Sequence, residues 1–170
     1  MKVIICGAGQ VGFNIARYLS QENNDVSVID QSPELIGMIN DSLDVQAFVG
    51  HASHPDVLER AGAAEADMLI AVTLADEVNM VACQVAKLLY KTPTTICRVR
   101  ANAYLAKSEL FYQRDQTKDL DSLRGFPIDV LISPEHLVTK HITRLIENPG
   151  ALQVLEFSKG LTRLVAIRAT

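Results

Sequence analysis

Apolar residues follow two rhythms along this chain. The runs Val3–Cys6, Val26–Ile29, Ala47–Val49, Met68–Val72, Thr95–Val99 and Val130–Ile132 are short, almost continuously apolar and rich in Val and Ile. Such runs suit strands buried on both faces. Between them, polar and apolar residues recur at helical spacing and predict helices over Val11–Gln21, Pro33–Leu43, Pro55–Ala61, Asp76–Leu89 and Tyr104–Arg114. The alternation predicts an α/β fold: a doubly wound parallel sheet covered by helices on both faces.

Start signals support three of the helices. Ser32 before Pro33 offers a capping oxygen and a proline whose missing N–H is harmless there. His54-Pro55-Asp56 repeats the pattern more weakly, and Thr73 or Asp76 can cap the helix that follows. Gln113–Phe126 lacks periodicity and reads as a helix end followed by a surface loop.

From Pro134 the pattern changes. Leu137, Val138, Ile142, Leu145 and Ile146 line one face of a long helix that Asn148-Pro149-Gly150 ends. Ala151–Phe157 and Leu161–Ala169 then alternate around Ser158-Lys159-Gly160 as a hairpin with almost no core of its own. The expected organisation is therefore a sheet domain over residues 1–133 and a helix with hairpin over 134–170. The hairpin reads as the start of a further module broken off at Thr170, or as a piece that packs against a second copy of the chain.

Composition narrows the function classes. In 170 residues, 48% are hydrophobic and 21% charged, ordinary for a globular protein. A net charge of −4 gives no broad positive field, so nucleic acid is not an expected partner. The first residues run straight into a glycine turn and read as a strand rather than a secretory leader. No run reaches the ~20 apolar residues of a membrane-spanning helix. Cys6, Cys83 and Cys97 are odd in number and set among apolar neighbours, which suits buried reduced thiols in a cytosolic core.

The first strand leads into Gly7-Ala8-Gly9-Gln10-Val11-Gly12, which opens the first helix. In this context a GxGxxG turn marks an adenine dinucleotide site. Gly7 permits the tight turn, Gly9 lets the backbone approach a pyrophosphate, and Gly12 lets the helix pack on the sheet. The helix start then presents N–H groups to the anion.

Asp30 ends the second strand about 20 residues on, where a carboxylate accepts the ribose hydroxyls of adenosine and repels a 2′-phosphate. Uncharged Gln31 and Ser32 follow it, so NAD(H) is expected over NADP(H). ATP and ADP share the same contacts and stay open as ligands.

Further candidates lie at the exits of later strands. Gly50-His51-Ala52-Ser53 follows the third strand, where a loop borders the adenine. His51 and His54 invite a metal, but no cysteine or carboxylate cluster completes a ligand set. Thr73 stands at the carboxyl edge of the sheet, where Asp76 and Glu77 read as solvated acids at a helix start. Arg98 and Arg100 share one side of the fifth strand or its exit, as a phosphate clamp, a bridge to another subunit or a structural ion pair.

Taken together, several motifs resemble the RCK (KTN) nucleotide-binding domains of potassium channels and transporters. They are the glycine turn, Asp30, Gly50 to Ser53 with Leu58-Glu59-Arg60-Ala61-Gly62, Ala71-Val72-Thr73 with Asp76-Glu77-Val78-Asn79-Met80, Arg98-Val99-Arg100, and Ile132-Ser133-Pro134-Glu135. The resemblance implies a Rossmann-like fold with a C-terminal crossover helix and β-hairpin. It implies Gly7, Gly9, Gly12, Asp30, Ser53, Thr73 and Arg98 as nucleotide contacts.

The resemblance also implies a cytoplasmic regulatory subunit of a potassium uptake system, peripheral on the inner face of the plasma membrane. Such a subunit would be a homo-dimer or tetramer through the crossover helix, docked on a membrane potassium-translocating subunit. His51 and Gln10 depart from the resemblance, standing where many relatives carry an aspartate and some carry a phosphate-binding arginine. The alternative functions are an NAD-dependent oxidoreductase, which would need a positioned acid or base such as His136 or His141, and a redox-sensing repressor, against which the acidic balance argues.

Overall fold

The computed structural model describes residues 1–111, 125–148, 151–157 and 162–167. They form two compact units, Met1–Ile132 and Ser133–Thr170. In the first, β1 (Lys2–Cys6), β2 (Asp25–Asp30), β3 (Gln46–Val49), β4 (Met68–Ala71), β5 (Thr94–Arg98) and β6 (Val130–Ile132) form one sheet in the order β3-β2-β1-β4-β5-β6. Every pairing in it is parallel. From β1 the strand order runs outward one way through β2 and β3 and the other way through β4, β5 and β6, which makes the carboxyl edge between β1 and β4 the switch point of a doubly wound sheet.

The connections are α1 (Gln10–Gln21), α2 (Pro33–Ser42), α3 (Pro55–Arg60), α4 (Asp76–Leu89) and α5 (Asn102–Leu105). Alternate residues of each strand feed opposite faces. Val3, Ile5, Val26, Val28, Ile70 and Val72 pack with Ile36 and Ile39 of α2 and Ala16 of α1. Ile4, Cys6, Ile29, Leu69, Ala71 and Cys97 pack with Val57 and Leu58 of α3 and Met80, Cys83 and Ala86 of α4. Both faces of the central strands are thus dry, the physical reason that they read as continuous apolar runs. Ile5 and Leu69 are fully buried, each contributing about 1.5–3 kcal/mol of transfer free energy.

The three thiols are buried and free, and all belong to the second of these cores. Burial pushes the Cys6 thiol up to about 12. The Cys83 thiol is raised first by a hydrogen bond with Cys97 and then by burial.

Two local expectations need correction. Of the helix expected over Tyr104–Arg114, residues 104–111 are described, and they hold the end of one turn, α5, followed by a 3-10 turn at Ser108–Leu110. The Leu110 carbonyl accepts the Phe126 N–H at 2.8 Å, and Phe111 pairs with Phe126. Both phenylalanines pack on the core, so tertiary pairing takes the carbonyl that a longer helix would need. Most of the loop expected over Gln113–Phe126 lies outside the described residues.

The second correction concerns caps. Ser32 does cap α2, accepting the Leu35 N–H at 3.2 Å. His54 makes no side-chain cap of α3, and the cap residue of α4 is Ala75, not Thr73 or Asp76.

The second unit holds α6 (Pro134–Glu147) and an antiparallel pair, β7 (Ala151–Phe157) and β8 (Thr162–Ile167). Val138, Ile142 and Ile146 are exposed along α6. The expected turn at Ser158-Lys159-Gly160 lies outside the described residues. No helix among the described residues is long and apolar enough to cross a membrane.

Candidate functional site

The carboxyl edge around the switch point gathers most of the predicted residues. Gly7 has φ +111°, a conformation that suits glycine, and a Cβ there would press on the Thr73 backbone at 3.0 Å. A Cβ at Gly12 would overlap the Gly7 carbonyl oxygen, so the turn and the first helix can meet only through glycine. Gly9 is different. A Cβ there would meet nothing within 4 Å, leaving space over the turn that a ligand's pyrophosphate can fill.

The helix behind that space has an uncapped start. Its cap residue is Gly9, no side chain bonds there, and its first backbone bond runs from Phe13 N–H to the Gly9 carbonyl at 2.8 Å. The N–H groups of Gln10, Val11 and Gly12 therefore have no acceptor within the helix. By contrast, Ser32 covers the start of α2. An uncapped N-terminus beside open space, carrying the positive end of the helix dipole, fits an anion.

Asp30 links this turn to α2. Its Oδ2 accepts the Ala8 N–H at 2.7 Å, and its Oδ1 accepts the Ser32 N–H at 2.9 Å. A carboxylate offers about four acceptor sites, so each oxygen keeps one for a ribose hydroxyl. Gln31 beside it is exposed.

On the outer side, the Gly50 N–H donates to the Asp30 carbonyl at 2.9 Å and brings the β3 exit alongside. Ala52 is buried. The Ser53 hydroxyl is hydrogen-bonded to His51 Nδ1 at 2.8 Å, and the His51 ring stacks on His54 with centroids 4.6 Å apart. The three side chains thus engage one another first. Among the described residues, no group of three or more His, Cys, Asp or Glu side chains could hold a metal.

On the inner side, Thr73 continues from β4 and abuts Gly7. Arg98, half-buried, ends β5 one strand further out. The expectation for Asp76 is wrong: only 6% exposed, it is no solvated acid. Its Oδ2 accepts the Arg100 and Ala101 N–H groups at 2.9 and 2.8 Å. The Arg100 guanidinium lies 3.8 Å from Asp76 Oδ1 and reaches the Leu74 carbonyl, so of the roles open to it Arg100 takes the structural pair.

Asn79, quoted in the sequence only as part of a motif and given no role there, is fully buried and hydrogen-bonded to Thr73 and Arg98. A signal existed: Asp76, Asn79, Met80, Cys83 and Ala86 share helical spacing, which puts both polar residues on the inward face of α4.

The sheet order, the glycine turn and the carboxylate at the end of β2 define a Rossmann-like domain of the nucleotide-binding type. The chain belongs to the TrkA-N domain family, whose pattern matches residues 3–134. It is 53% identical to the Trk system potassium uptake protein TrkA of Halomonas elongata over 169 residues, 99% of this chain. The chain spans 35% of the length of that relative.

Among solved structures, the Kef C-terminal domain of Shewanella denitrificans in its AMP-bound form aligns with TM-score 0.63 and 22% identity, over 88% of this chain and 82% of that one. The GsuK channel bound to NAD aligns with TM-score 0.54 and 19% identity, over 61% of this chain and 18% of that one.

Proposed function

We propose that this chain is the nucleotide-sensing part of a cytoplasmic regulatory subunit of a potassium uptake system. Its ligand is an adenine nucleotide, NAD(H) foremost, with ATP and ADP as competitors for the same pyrophosphate and ribose contacts. The observation that carries the reading is the open, uncapped start of α1 beside Gly9, with Asp30 held at its side. The relative named for potassium uptake, and the neighbours solved with AMP and with NAD, support it.

In this reading Gly7, Ala8, Gly9, Gln10, Val11 and Gly12 cradle the pyrophosphate, and Asp30 with Gln31 borders the adenosine ribose. His51, Ala52 and Ser53 border the adenine, while Thr73 and Arg98 meet the second half of the ligand. The role is regulatory and not catalytic. Copies of the chain pair through α6, whose Val138, Ile142 and Ile146 are exposed and need a cover. The assembly docks on the inner membrane face against a potassium-translocating subunit. A coupling of about 1–3 kcal/mol between nucleotide and assembly state suffices to switch that partner.

Thermal denaturation with millimolar NADH, NAD, ATP and ADP tests the reading. A ligand at 100 times its Kd adds about 2.7 kcal/mol of stability, so the melting temperature is expected to rise by several degrees. No shift with any of the four would sink the proposal.

A further inference from the structure

One side chain joins the two inner strand exits of the site. Asn79 lies in the first turn of α4 and is 0% exposed. Its Oδ1 accepts the Thr73 N–H at 2.9 Å and the Thr73 hydroxyl at 2.7 Å. Its Nδ2 donates to the Thr73 carbonyl at 3.2 Å and to the Arg98 carbonyl at 3.0 Å. Every hydrogen-bonding position of the amide is used. A backbone N–H only donates and a carbonyl only accepts, so these partners also fix which end of the amide is oxygen.

The backbone atoms held are those of the residues that follow β4 and end β5. Thr73 has left its strand, and no ladder bond of β4 holds it in register with Arg98. The same helical turn carries Asp76, which binds the N–H groups of Arg100 and Ala101, and Glu77, which accepts the Tyr104 hydroxyl at 2.9 Å. The first turn of α4 is therefore a brace across the β4 and β5 exits. The Gly7–Asp30 side of the cleft has hydrogen bonds of its own, through Ala8 and Ser32, and meets Thr73 by packing at Gly7 without any bond to Asn79.

We propose that Asn79 is a positioning residue that fixes Thr73 relative to Arg98, and so governs binding of ligands that extend past β1 onto the β4–β5 half of the cleft. Adenosine monophosphate, confined to the Asp30 and glycine-turn half, is bound independently of it. The inference rests on the nucleotide reading above and adds a division of the cleft into two separately built halves.

The test is calorimetry with AMP and NADH on the chain and on its Asn79→Asp and Asn79→Ala variants. Asn79→Asp keeps the acceptor for Thr73 but turns a second oxygen toward the two carbonyls. Both variants are expected to lose about 10- to 100-fold in NADH affinity, with AMP affinity changed less than threefold. A merely structural role would weaken both ligands alike or neither, and either result overturns the inference.

Should the variants not fold, hydrogen exchange on the unsubstituted chain decides. NADH is expected to slow exchange at Thr73, Arg100 and Ala101, while AMP leaves these amides unchanged. Equal effects of the two ligands, or none, overturn the proposal. So does an unsubstituted chain that binds AMP and not NADH. One that binds neither of these, nor NAD, ATP or ADP, refutes the nucleotide reading itself.

Discussion

The Asp30 carboxylate and the Ala8 N–H meet at 2.7 Å, tying the end of β2 to the glycine turn after β1. The bond holds the carboxylate at the switch point before any ligand arrives, and the Ser32 N–H steadies its other oxygen. Preorganisation of this kind spares a ligand the cost of ordering the group that receives it.

Replacing Asp30 with Asn keeps an acceptor for one of the two N–H groups and removes the charge. Charge-assisted hydrogen bonds contribute about 1.5–3 kcal/mol, so affinity for AMP or NADH is expected to fall roughly 10- to 150-fold by titration calorimetry. NADPH is expected to bind the unsubstituted chain more weakly than NADH, because the carboxylate repels a 2′-phosphate. Equal affinities for the two cofactors would remove Asp30 from the ribose site.

Two glycines of one turn should answer substitution in opposite ways. At Gly12 a methyl group overlaps the Gly7 carbonyl, and Gly12→Ala is expected to cost several kcal/mol or to prevent folding. At Gly9 the backbone is extended and the space empty, so Gly9→Ala should leave stability within about 0.5 kcal/mol while filling the anion cradle. Urea denaturation with nucleotide titration separates the two. A Gly9→Ala chain that binds as well as the parent would show the cradle to be unused.

The capping of α2 is measurable alone. Ser32→Ala removes the acceptor for the Leu35 N–H and should cost about 1 kcal/mol in denaturant unfolding. A change below a few tenths would mean that Pro33 at the helix start already suffices.

Among the thiols, Cys6 is held at about 12 and Cys83 is raised as well. A thiol with a folded pKa above its unfolded one favours folding fully below the unfolded value. That contribution is lost as pH rises through the folded one. Stability is therefore expected to decline between the ordinary thiol value of 9.0 and about 12, and a Cys6→Ser chain should decline less over that window. Thiol reagents at pH 8 should label neither Cys6 nor Cys83 until the chain unfolds, and rapid labelling of the native chain would contradict their burial.

The sheet was legible in the sequence because its strands are buried on both faces, which leaves continuous apolar runs such as Val3–Cys6 and Val26–Ile29. The glycine turn was legible because backbone geometry allows nothing else at Gly7 and Gly12. Asp76 was not, since an acid in a first helical turn looks solvated until the backbone N–H groups of a neighbouring strand exit are known to need it. Asn79 was hidden similarly: its partners lie 6 and 19 residues away and are all main-chain or hydroxyl groups. The shortened α5 turned on the pairing of Phe111 with Phe126, a contact that local periodicity does not carry.

The central claim is that an adenine nucleotide sits between Gly9 and Asp30. Isothermal calorimetry of the chain with NADH, repeated on Gly9→Ala, tests it most directly. The account predicts one site per chain on the parent and at least tenfold weaker binding on the variant, with the fold intact by circular dichroism. Undiminished binding by the folded variant, or no heat from the parent with millimolar NADH, NAD, ATP and ADP, would contradict it.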